Sequence, residues 1–284
     1  MVKKALLIGI NYIGTDNELN GCINDIHNIK NFLTENCDFL DTDIKVLTDD
    51  LEENKPTNQN IKDNISWLVS NTNAGDVLVF YYSGHGSYIA DTNKDESDRR
   101  DEVIVPLDFE TSDFISDDWL RANMCSKINK NVILYCFSDS CHSGTICDLK
   151  YNCKSTCVLK KNKKVTNETY VASDWTETFS YSFENTKDIM NGNVIVFSGC
   201  QDRETSADAY IVGKNQSQGA FTFCLLEMLN NNIDATTGKF IKNKIKLKSA
   251  IKEINCRLDI HGYGDQNSQL TTGKLNDINA YLNF

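Results

Sequence analysis

The sequence lacks any apolar run long enough to cross a bilayer, and it has fewer basic than acidic residues. The longest apolar runs lie near 77–82 and 132–137, far short of the about 20 residues that a membrane-spanning helix needs. The formal net charge of −11 at pH 7 argues against a nucleic-acid binder, because such proteins present a basic face. We therefore expect neither nucleic acid nor a membrane as a partner.

A secretion signal is also missing. The apolar run after Lys4 ends at Ile10, and no small-residue cleavage site follows it. We therefore expect a cytoplasmic protein whose eleven cysteines are reduced and mostly buried thiols. Cys147, Cys153 and Cys157 lie close together, but their spacing is not that of paired zinc ligands and no histidine lies among them, which disfavours a zinc site.

What the chain does contain is a regular alternation of strand-like and helix-like patterns. Five short apolar runs are typical of strands buried on both faces of a parallel sheet. They are Ala5–Asn11, Ile44–Thr48, Val77–Tyr82, Val132–Phe137 and Val194–Phe197. Apolar residues recur at helical spacing from Ile23 to Leu33, from Ile61 to Leu68 after a cap at Thr57, from Phe221 to Leu229 and from Leu247 to Leu258. The alternation predicts an α/β fold with a mostly parallel central sheet flanked by helices on both faces.

Two stretches interrupt this alternation. Residues 91–118 are acidic and loop-like, and residues 151–190 are polar and typical of a long exposed linker. We therefore expect one domain over 1–284, with a larger part over about 1–150 and a smaller part over about 191–284.

Two of the predicted strands end in small polar motifs, Ser83–Gly86 and Ser138–Gly144. The carboxyl ends of parallel strands share one edge of a sheet, and neighbouring strands lie about 4.8 Å apart, so His85 and Cys141 are expected to face each other. An imidazole beside a thiol makes the thiolate available for attack. The motifs predict acyl transfer with Cys141 as nucleophile, His85 as base and the backbone N–H groups of Gly86 and Cys141 as oxyanion donors.

Either motif alone has an ordinary explanation, because a lone cysteine or histidine after a buried strand is usually structural. Their occurrence at two strand ends favours a site. His142 follows the nucleophile and is expected to pack or position rather than catalyse, while His27 and His261 have no motif context.

The motifs resemble those of metacaspases, within the clan of caspase-fold proteases. The resemblance rests on KALLIGINY (4–12), LNGCINDI (19–26), YYSGHGS (81–87), DEVIVPLD (101–108), ISDDWL (115–120), DSCHSGT (139–145) and SGCQDRETSAD (198–208). It extends from residue 4 to about residue 275 and is closest to type I metacaspases, without a prodomain before the first strand. It implies a caspase-like fold and a monomeric cysteine endopeptidase that cleaves protein or peptide substrates after Arg or Lys.

The resemblance also implies a pocket for the basic side chain of the substrate. Its lining is carried over to Cys22, Asp25, Ser83 and Asp139. Two carboxylates in a cleft bind a guanidinium well and repel an acidic side chain. The alternative is that Asp25 flanks a helix start and Asp139 holds a turn.

The acidic stretch offers hard oxygen ligands in excess, which suit calcium. The resemblance places the calcium ligands at Asp101, Asp117, Asp118 and Asp148 and implies that calcium stimulates the enzyme. The alternative is an acidic surface that is only solvated.

A lysine cluster lies in the polar stretch that follows the nucleophile. Its members are Lys160, Lys161, Lys163 and Lys164. Exposed backbone is where a protease can bind an extended chain, and the cluster offers the basic residues that the enzyme is expected to prefer. We therefore expect self-cleavage at these lysines. The alternative is that the lysines only keep a long loop soluble.

Two other functions stay open at the level of the sequence. An Asp-directed protease of the same fold would need arginines at the pocket positions, and the arginines of the chain lie elsewhere. An inactive binding scaffold would have lost the cysteine or the histidine, and both are present.

Overall fold

The structure is a computed structural model, and it describes residues 1–91, 99–159, 175–183, 188–201, 207–211 and 216–284. The strands are β1 (Lys3–Gly9), β2 (Ile44–Thr48), β3 (Val77–Ser83), β4 (Gly86–Ala90), β5 (Arg100–Ile104), β6 (Ile115–Ser116), β7 (Ile133–Asp139), β8 (Tyr151–Leu159), β9 (Trp175–Phe183), β10 (Asn193–Ser198), β11 (Asp208–Ile211), β12 (Gln216–Gly219) and β13 (Gln269–Thr272). The helices are α1 (Cys22–Asn36), α2 (Asn58–Val69), α3 (Asp117–Asn123), α4 (Ala220–Asn230) and α5 (Leu247–Ile260). Short 3-10 turns cover Asp41–Asp43, Cys125–Lys127 and Leu275–Asn279.

A central eight-stranded sheet has the strand order β2-β1-β3-β7-β10-β13-β8-β9. The first five of these strands are parallel, and the last three extend the sheet through antiparallel pairs. Alternate residues of each central strand point to opposite faces, so Leu7 belongs to one apolar cluster and Leu6 to the other. Helices α1, α4 and α5 contribute to the first cluster, and α2 and α3 to the second. The predicted α/β fold with helices on both faces is confirmed.

All five predicted core strands form, with ends that differ from the prediction by no more than two residues. They form because an apolar residue at every position can be buried on both sides of the sheet, at about 1.5–3 kcal/mol for each large side chain. Helix α2 starts as predicted, since the Thr57 hydroxyl accepts a hydrogen bond from the Asn60 N–H at 3.3 Å.

The prediction of a loop over 91–118 is wrong for part of that stretch. Strands β5 and β6 lie in it and pair with β4 in a three-stranded sheet. The prediction of an irregular linker over 151–190 is wrong where the chain is described there, because β8 and β9 form the edge of the central sheet. Only one face of β8 packs on the core, burying Cys153 and Ser155, so its sequence has no continuous apolar run.

Nine of the cysteines in the described residues are free thiols. Cys256 is disulfide-bonded, so the expectation of reduced thiols is wrong at that position. Within the described ranges, no helix is both long enough and apolar enough to cross a membrane.

Candidate active site

The predicted nucleophile and base come after two neighbouring strands. Strands β3 and β7 pair in parallel, with Ser83 opposite Asp139, so the two polar motifs begin at the same edge of the sheet. One cavity there, of about 90 Å³, is smaller than the about 300–1,000 Å³ of typical small-molecule pockets. Its lining includes six predicted residues, Cys22, Asp25, Ser83, His85, Asp139 and Cys141. The lining is completed by Leu19, Gly84, Ser140 and Ala207, which lie within the motifs quoted above, and by Gly219, which lies in none of them.

Gly86 lets the two polar motifs approach each other. A Cβ atom at this position would lie 1.9 Å from the carbonyl oxygen of Cys141 and 3.2 Å from Oγ of Ser140. Both distances are shorter than an ordinary van der Waals contact, and backbone cannot yield as a flexible side chain can. Any larger residue would therefore push the histidine motif away from the nucleophile motif.

His85 is held by groups that the sequence did not reveal. Its Nε2 lies 2.7 Å from the carbonyl oxygen of Asn17, and its ring packs 4.7 Å from that of Tyr12, centroid to centroid. The Tyr82 hydroxyl donates to the carbonyl of His85 at 2.7 Å. A carbonyl can only accept, so Nε2 carries the proton of the neutral ring and Nδ1 is the basic nitrogen. The Asn17 carbonyl thus selects the tautomer that a general base needs.

Asp25 lies in the first turn of α1 and is fully buried. Its carboxylate accepts hydrogen bonds from Oγ of Ser83 at 2.8 Å and from the N–H of Gly219 at 3.1 Å. The side chain therefore faces the cavity rather than capping its own helix. That role falls to Asn11, whose Oδ1 lies 3.0 Å from the N–H of Cys22.

Asp139 is buried at the end of β7. Its Oδ2 accepts hydrogen bonds from the N–H and the hydroxyl of Thr222, at 2.9 and 2.6 Å, and the same hydroxyl contacts that of Tyr81. Burial raises the pKa of the Tyr81 phenol, and the negative charges of Asp25 and Asp139 raise it further. Both carboxylates therefore act on one phenol.

Gly219, the last residue of β12, lies between these two carboxylates. A Cβ atom on it would lie 2.0 Å from Oδ2 of Asp139 and 2.9 Å from Oδ2 of Asp25. Only a residue without a side chain leaves the two carboxylates in place. The sequence carries no local signal for this, because the three residues meet only in the folded chain.

The predicted calcium ligands lie in a second, acidic region. Asp101, Asp117 and Asp148 are buried, and Asp118 is half-buried. Asp117 accepts hydrogen bonds from the N–H groups of Glu102 and Asp118, at 3.0 and 2.7 Å. Burial, and then the charges of Glu102 and Asp148, raise the pKa of the Asp117 carboxyl far above its usual range.

The four predicted ligands do not converge on one point. Asp101 precedes Glu102 on β5, and neighbouring strand residues point to opposite faces. Among the residues with described side chains, no three His, Cys, Asp or Glu side chains are placed to hold a metal ion. The donor chemistry nevertheless fits a hard cation, since buried carboxylates here raise each other's proton affinity and a divalent ion would offset their charge.

The remaining predicted residues lie elsewhere. His142 packs edge-on against the ring of Tyr88, with centroids 5.4 Å apart. The proposed cleavage sites Lys160, Lys161, Lys163 and Lys164 fall outside the described residues.

A parallel sheet that brings a cysteine and a histidine to one cavity is the arrangement expected of a caspase-fold peptidase. The chain belongs to the metacaspase family: the family model "Metacaspase, peptidase C14 domain" matches residues 3–150, just over half of its 284 residues. The predicted resemblance to metacaspases is therefore confirmed, and the family is one of cysteine-type peptidases.

Curated relatives support the same assignment. Metacaspase-1 of Lodderomyces elongisporus is 37% identical over 275 residues, which cover 85% of this chain and 61% of the relative. Metacaspase-1 of Candida albicans is 37% identical over 282 residues, covering 87% of this chain and 62% of the relative. Metacaspase-1 of Yarrowia lipolytica is 32% identical over 303 residues, covering 98% and 63%. The chain thus spans about three fifths of the length of these relatives.

A crystal structure of a protein from Geobacter sulfurreducens has the same fold. Its TM-score is 0.63 at 23% sequence identity, and the alignment covers 99% of this chain and 97% of that chain.

Proposed function

We propose that the protein is a cysteine endopeptidase that cleaves protein or peptide substrates after Arg or Lys, with Cys141 as nucleophile and His85 as base. One observation supports this above all: a single cavity is lined by the thiol, the imidazole and the two buried carboxylates of Asp25 and Asp139.

In the proposed reaction, the Cys141 thiol passes its proton to Nδ1 of His85 and the sulfur attacks the scissile carbonyl carbon. The Asn17 carbonyl holds the Nε2 proton and supports the imidazolium that forms. The backbone N–H groups of Gly86 and Cys141 hold the oxyanion. His85 then returns the proton to the leaving amine, and water activated by His85 hydrolyses the acyl-enzyme.

The proposed preference for basic residues follows from the charge of the pocket. A charge-assisted hydrogen bond contributes about 1.5–3 kcal/mol, and a guanidinium can meet two carboxylates at once. An aspartate side chain would instead meet two like charges in a buried cavity. We therefore expect Asp substrates to be rejected.

The experiment compares peptides that differ only in Arg, Lys or Asp before the scissile bond, for wild type, Cys141→Ala and His85→Ala. We expect wild type to cut the Arg and Lys peptides and each variant to lose nearly all turnover while its thermal unfolding is unchanged. The two losses should not add in the double variant, because the pair acts as a unit. Substantial turnover by Cys141→Ala would remove the nucleophile assignment, and a preference for Asp would remove the pocket.

An Arg-directed thiol-alkylating probe separates the inactive scaffold from the enzyme. It should label wild type at Cys141 and leave Cys141→Ala unlabelled. A folded wild type that neither cuts peptides nor takes the probe would be a binding protein.

We further propose that calcium stimulates the enzyme, and that Asp101, Asp117, Asp118 and Asp148, which do not converge in this structure, move together to hold the ion. Support comes from the buried carboxylates around Asp117, whose charges oppose one another. We expect activity to rise with millimolar calcium and little with magnesium, which demands a tighter octahedral shell. The double substitution Asp117→Asn with Asp118→Asn should abolish the response, and full activity of chelator-treated wild type would contradict the proposal.

A further inference from the structure

The two proposed oxyanion donors belong to peptide groups whose carbonyls are each held by two hydrogen bonds. The N–H of Cys141 shares its peptide group with the carbonyl of Ser140. The N–H of Gly86 shares its peptide group with the carbonyl of His85. A trans peptide group is planar, and its C=O and N–H point in opposite directions. The groups that hold each carbonyl therefore also set the direction of the N–H that follows it.

Two buried side chains hold the carbonyl of Ser140. The hydroxyl of Ser143 donates to it at 2.8 Å, and the thiol of Cys200 donates to it at 3.2 Å. Both side chains are 0% exposed, so water does not compete for these contacts. Burial raises the pKa of the Cys200 thiol to about 12, which keeps the S–H proton in place as a donor. The carbonyl is thus fixed on one side of its peptide group, and the N–H of Cys141 points to the other.

Cys200 reaches this carbonyl because β10 lies beside β7. The two strands pair in parallel as far as Ser198 and Ser138. The N–H of Gly199 continues the pairing with a hydrogen bond of 2.7 Å to the carbonyl of Ser138. The next residue, Cys200, therefore runs alongside the turn that carries the nucleophile. The sequence motif SGC (198–200), to which the proposed reaction gave no role, thus lies against the site.

The carbonyl of His85 is held in the same manner. The hydroxyl of Tyr82 donates to it at 2.7 Å, and the N–H of Val105 donates to it at 3.2 Å. The bond from Val105 ends the β4–β5 ladder with a hydrogen-bonded pair. In an antiparallel ladder the next pair, Gly86 with Ile104, is then a non-hydrogen-bonded one. The N–H of Gly86 therefore points away from β5.

We propose that Tyr82, Ser143 and Cys200 are positioning residues of the oxyanion hole, which hold the carbonyls of the two donor peptides so that both N–H groups point at the substrate oxygen. Hydrogen bonds to a carbonyl also polarise its amide, and the N–H of a polarised amide is a stronger donor. The three side chains act through these peptide groups and not on the substrate itself. The inference rests on the function proposed above, because it needs Gly86 and Cys141 as oxyanion donors.

The hydrogen bonds to the Ser140 carbonyl can be measured without any peptidase activity. A serine followed by a cysteine occurs once in the sequence, at Ser140–Cys141. Protein labelled with carbonyl-¹³C serine and ¹⁵N cysteine therefore gives one signal in an NMR spectrum that correlates each amide with the preceding carbonyl. We expect the carbonyl shift to move upfield in Ser143→Ala and in Cys200→Ala, because each variant removes one donor. A signal that stays in place in both variants would overturn the proposal.

A matched control for this measurement is Ser198→Ala. The hydroxyl of Ser198 is also buried, and it donates at 3.3 Å to the carbonyl of Gly144, which lies in the nucleophile motif but outside the two donor peptides. The variant should leave the Ser140 carbonyl signal in place. A shift as large as that of Ser143→Ala would assign the effect to the loop as a whole and overturn the specific role of the two donors.

The link to catalysis is tested with an Arg peptide and with the corresponding Arg peptide aldehyde. The Cys141 sulfur adds to the aldehyde carbon and the thiol proton passes to the aldehyde oxygen, which occupies the oxyanion hole. Loss of a whole oxyanion donor costs about 10²–10³-fold in kcat, so loss of the groups that hold a donor should cost about 10-fold. We expect this loss in kcat, with little change in KM, for Tyr82→Phe and for Ser143→Ala combined with Cys200→Ala. Aldehyde binding should weaken in parallel.

Iodoacetamide separates this role from a general loosening of the site. It alkylates the Cys141 sulfur without forming an oxyanion, so the rate of labelling, followed by mass spectrometry, should match that of wild type in each variant. Cys200→Ser keeps a hydroxyl donor and should retain more of kcat than Cys200→Ala. Tyr135→Phe is the control for Tyr82→Phe, because it removes a buried phenol hydroxyl that accepts from the N–H of Asn283 at 2.9 Å; it should leave kcat and aldehyde binding unchanged.

Each outcome decides one part of the proposal. Unchanged kcat and aldehyde affinity in variants whose carbonyl signal has moved would overturn the positioning role. A labelling rate that falls as much as kcat would do the same, since it would place the effect on the nucleophile. Circular dichroism shows whether each variant folds, and the single variants replace an unfolded double variant. If wild type neither cleaves the peptide nor binds the aldehyde, the proposed function itself fails, while the carbonyl signal still decides whether Ser143 and Cys200 hold Ser140.

Discussion

Gly219 is the residue that makes Asp25 and Asp139 one pocket. Its N–H donates to Asp25, and its missing side chain leaves room for Oδ2 of Asp139. The carboxylates come from α1 and β7, which are far apart in the chain. A backbone that approaches both of them closely sets their separation, and that separation decides whether one guanidinium can reach both.

Gly219→Ala should therefore depress cleavage after Arg and Lys while the catalytic pair stays intact. The added Cβ would displace Asp139, and loss of one charge-assisted contact corresponds to about 10- to 100-fold in kcat/KM. The measurement is kcat/KM on Arg and Lys peptides, accompanied by the rate at which a small neutral alkylating agent labels Cys141. An unchanged kcat/KM, or a labelling rate that falls in the same proportion, would contradict a role confined to the pocket.

At the scale of single residues, the predicted strand ends were enough to locate the candidate nucleophile and base. Cys141 and His85 stand just after continuous apolar runs, and a parallel sheet brings such ends together. Asn17 and Gly219 could not be found this way. Asn17 acts through its backbone carbonyl, which any residue would supply, and Gly219 matters only because of residues far from it in the chain.

At the scale of elements, Asn11 couples the end of β1 to the start of α1. Its Oδ1 accepts hydrogen bonds from the N–H groups of Cys22 and Ile23, at 3.0 and 3.4 Å, and helix α1 has no side-chain cap of its own. The first turn of α1 carries two pocket residues, Cys22 and Asp25. The cap thus fixes the position of the pocket as well as the start of the helix.

Asn11→Ala should lower both stability and activity. Loss of a cap costs about 1 kcal/mol, and a small displacement of Asp25 should lower kcat/KM on Arg peptides by about 10- to 100-fold. Thr57→Ala is the matched control, because it removes the cap of α2, a helix that contributes no residue to the cavity. Urea unfolding should show a similar loss of stability for both variants, whereas peptide assays should show a loss of activity for Asn11→Ala alone. Equal activities would mean that the cap does not position the pocket.

A buried carboxyl in the 3-10 turn Leu275–Asn279 should make stability depend on pH. Burial raises the pKa of Asp277 from 3.8 to about 6, and the charge of Lys274 opposes this only in part. Within the described chain, its Oδ2 has no hydrogen-bond partner. The folded state holds a proton that the unfolded state releases between about pH 4 and 6, so stability should fall as pH rises through this window.

Asp277→Asn should remove this loss. At pH 7 the variant should be more stable than wild type by up to about 3 kcal/mol, and the difference should vanish below about pH 4. Urea unfolding at pH 4–8 measures the stability difference at pH 7 and its disappearance at low pH. The control is Asp265→Asn, which removes an exposed carboxyl. A variant that is no more stable than wild type at pH 7 would show that the buried charge is compensated.

Differences in burial among the strands explain why some of them could not be predicted from the sequence. Strands β1, β3, β7 and β10 are buried on both faces, and that burial requires the apolar runs that reveal them. Strand β9 lies at the sheet edge, where Tyr181 and Phe183 are more than half exposed. An edge strand tolerates polar residues on its solvent side, so its sequence resembles a linker.

At the scale of the whole molecule, the lysine cluster would interrupt the chain between two strands of one sheet. Strand β8 precedes it and β9 comes after it, and β8 also pairs with β13 near the C-terminal end. A cut among the lysines would therefore leave the N-terminal fragment hydrogen-bonded to the C-terminal one on both sides of β8.

We expect calcium to induce nicking at or near Lys160, Lys161, Lys163 or Lys164. The fragments should co-elute as a species of unchanged size in gel filtration and separate only in denaturant. N-terminal sequencing locates the cut, and Cys141→Ala controls for contaminating proteases. A wild type that stays one chain in calcium, or equal nicking of the inactive variant, would exclude self-cleavage there.

The wide spread of the cavity residues along the chain has a consequence for the time at which activity arises. A nascent chain that has emerged only through Cys141 already carries the thiol and the imidazole. It lacks β10, which flanks β7, and it lacks Gly219 and Thr222, the hydrogen-bond partners of Asp25 and Asp139. Pairing of strands distant in sequence is slow, and a domain folds as a unit. We therefore expect the pocket to be completed late in translation, so that the proposed peptidase activity would arise only after most of the chain has left the ribosome.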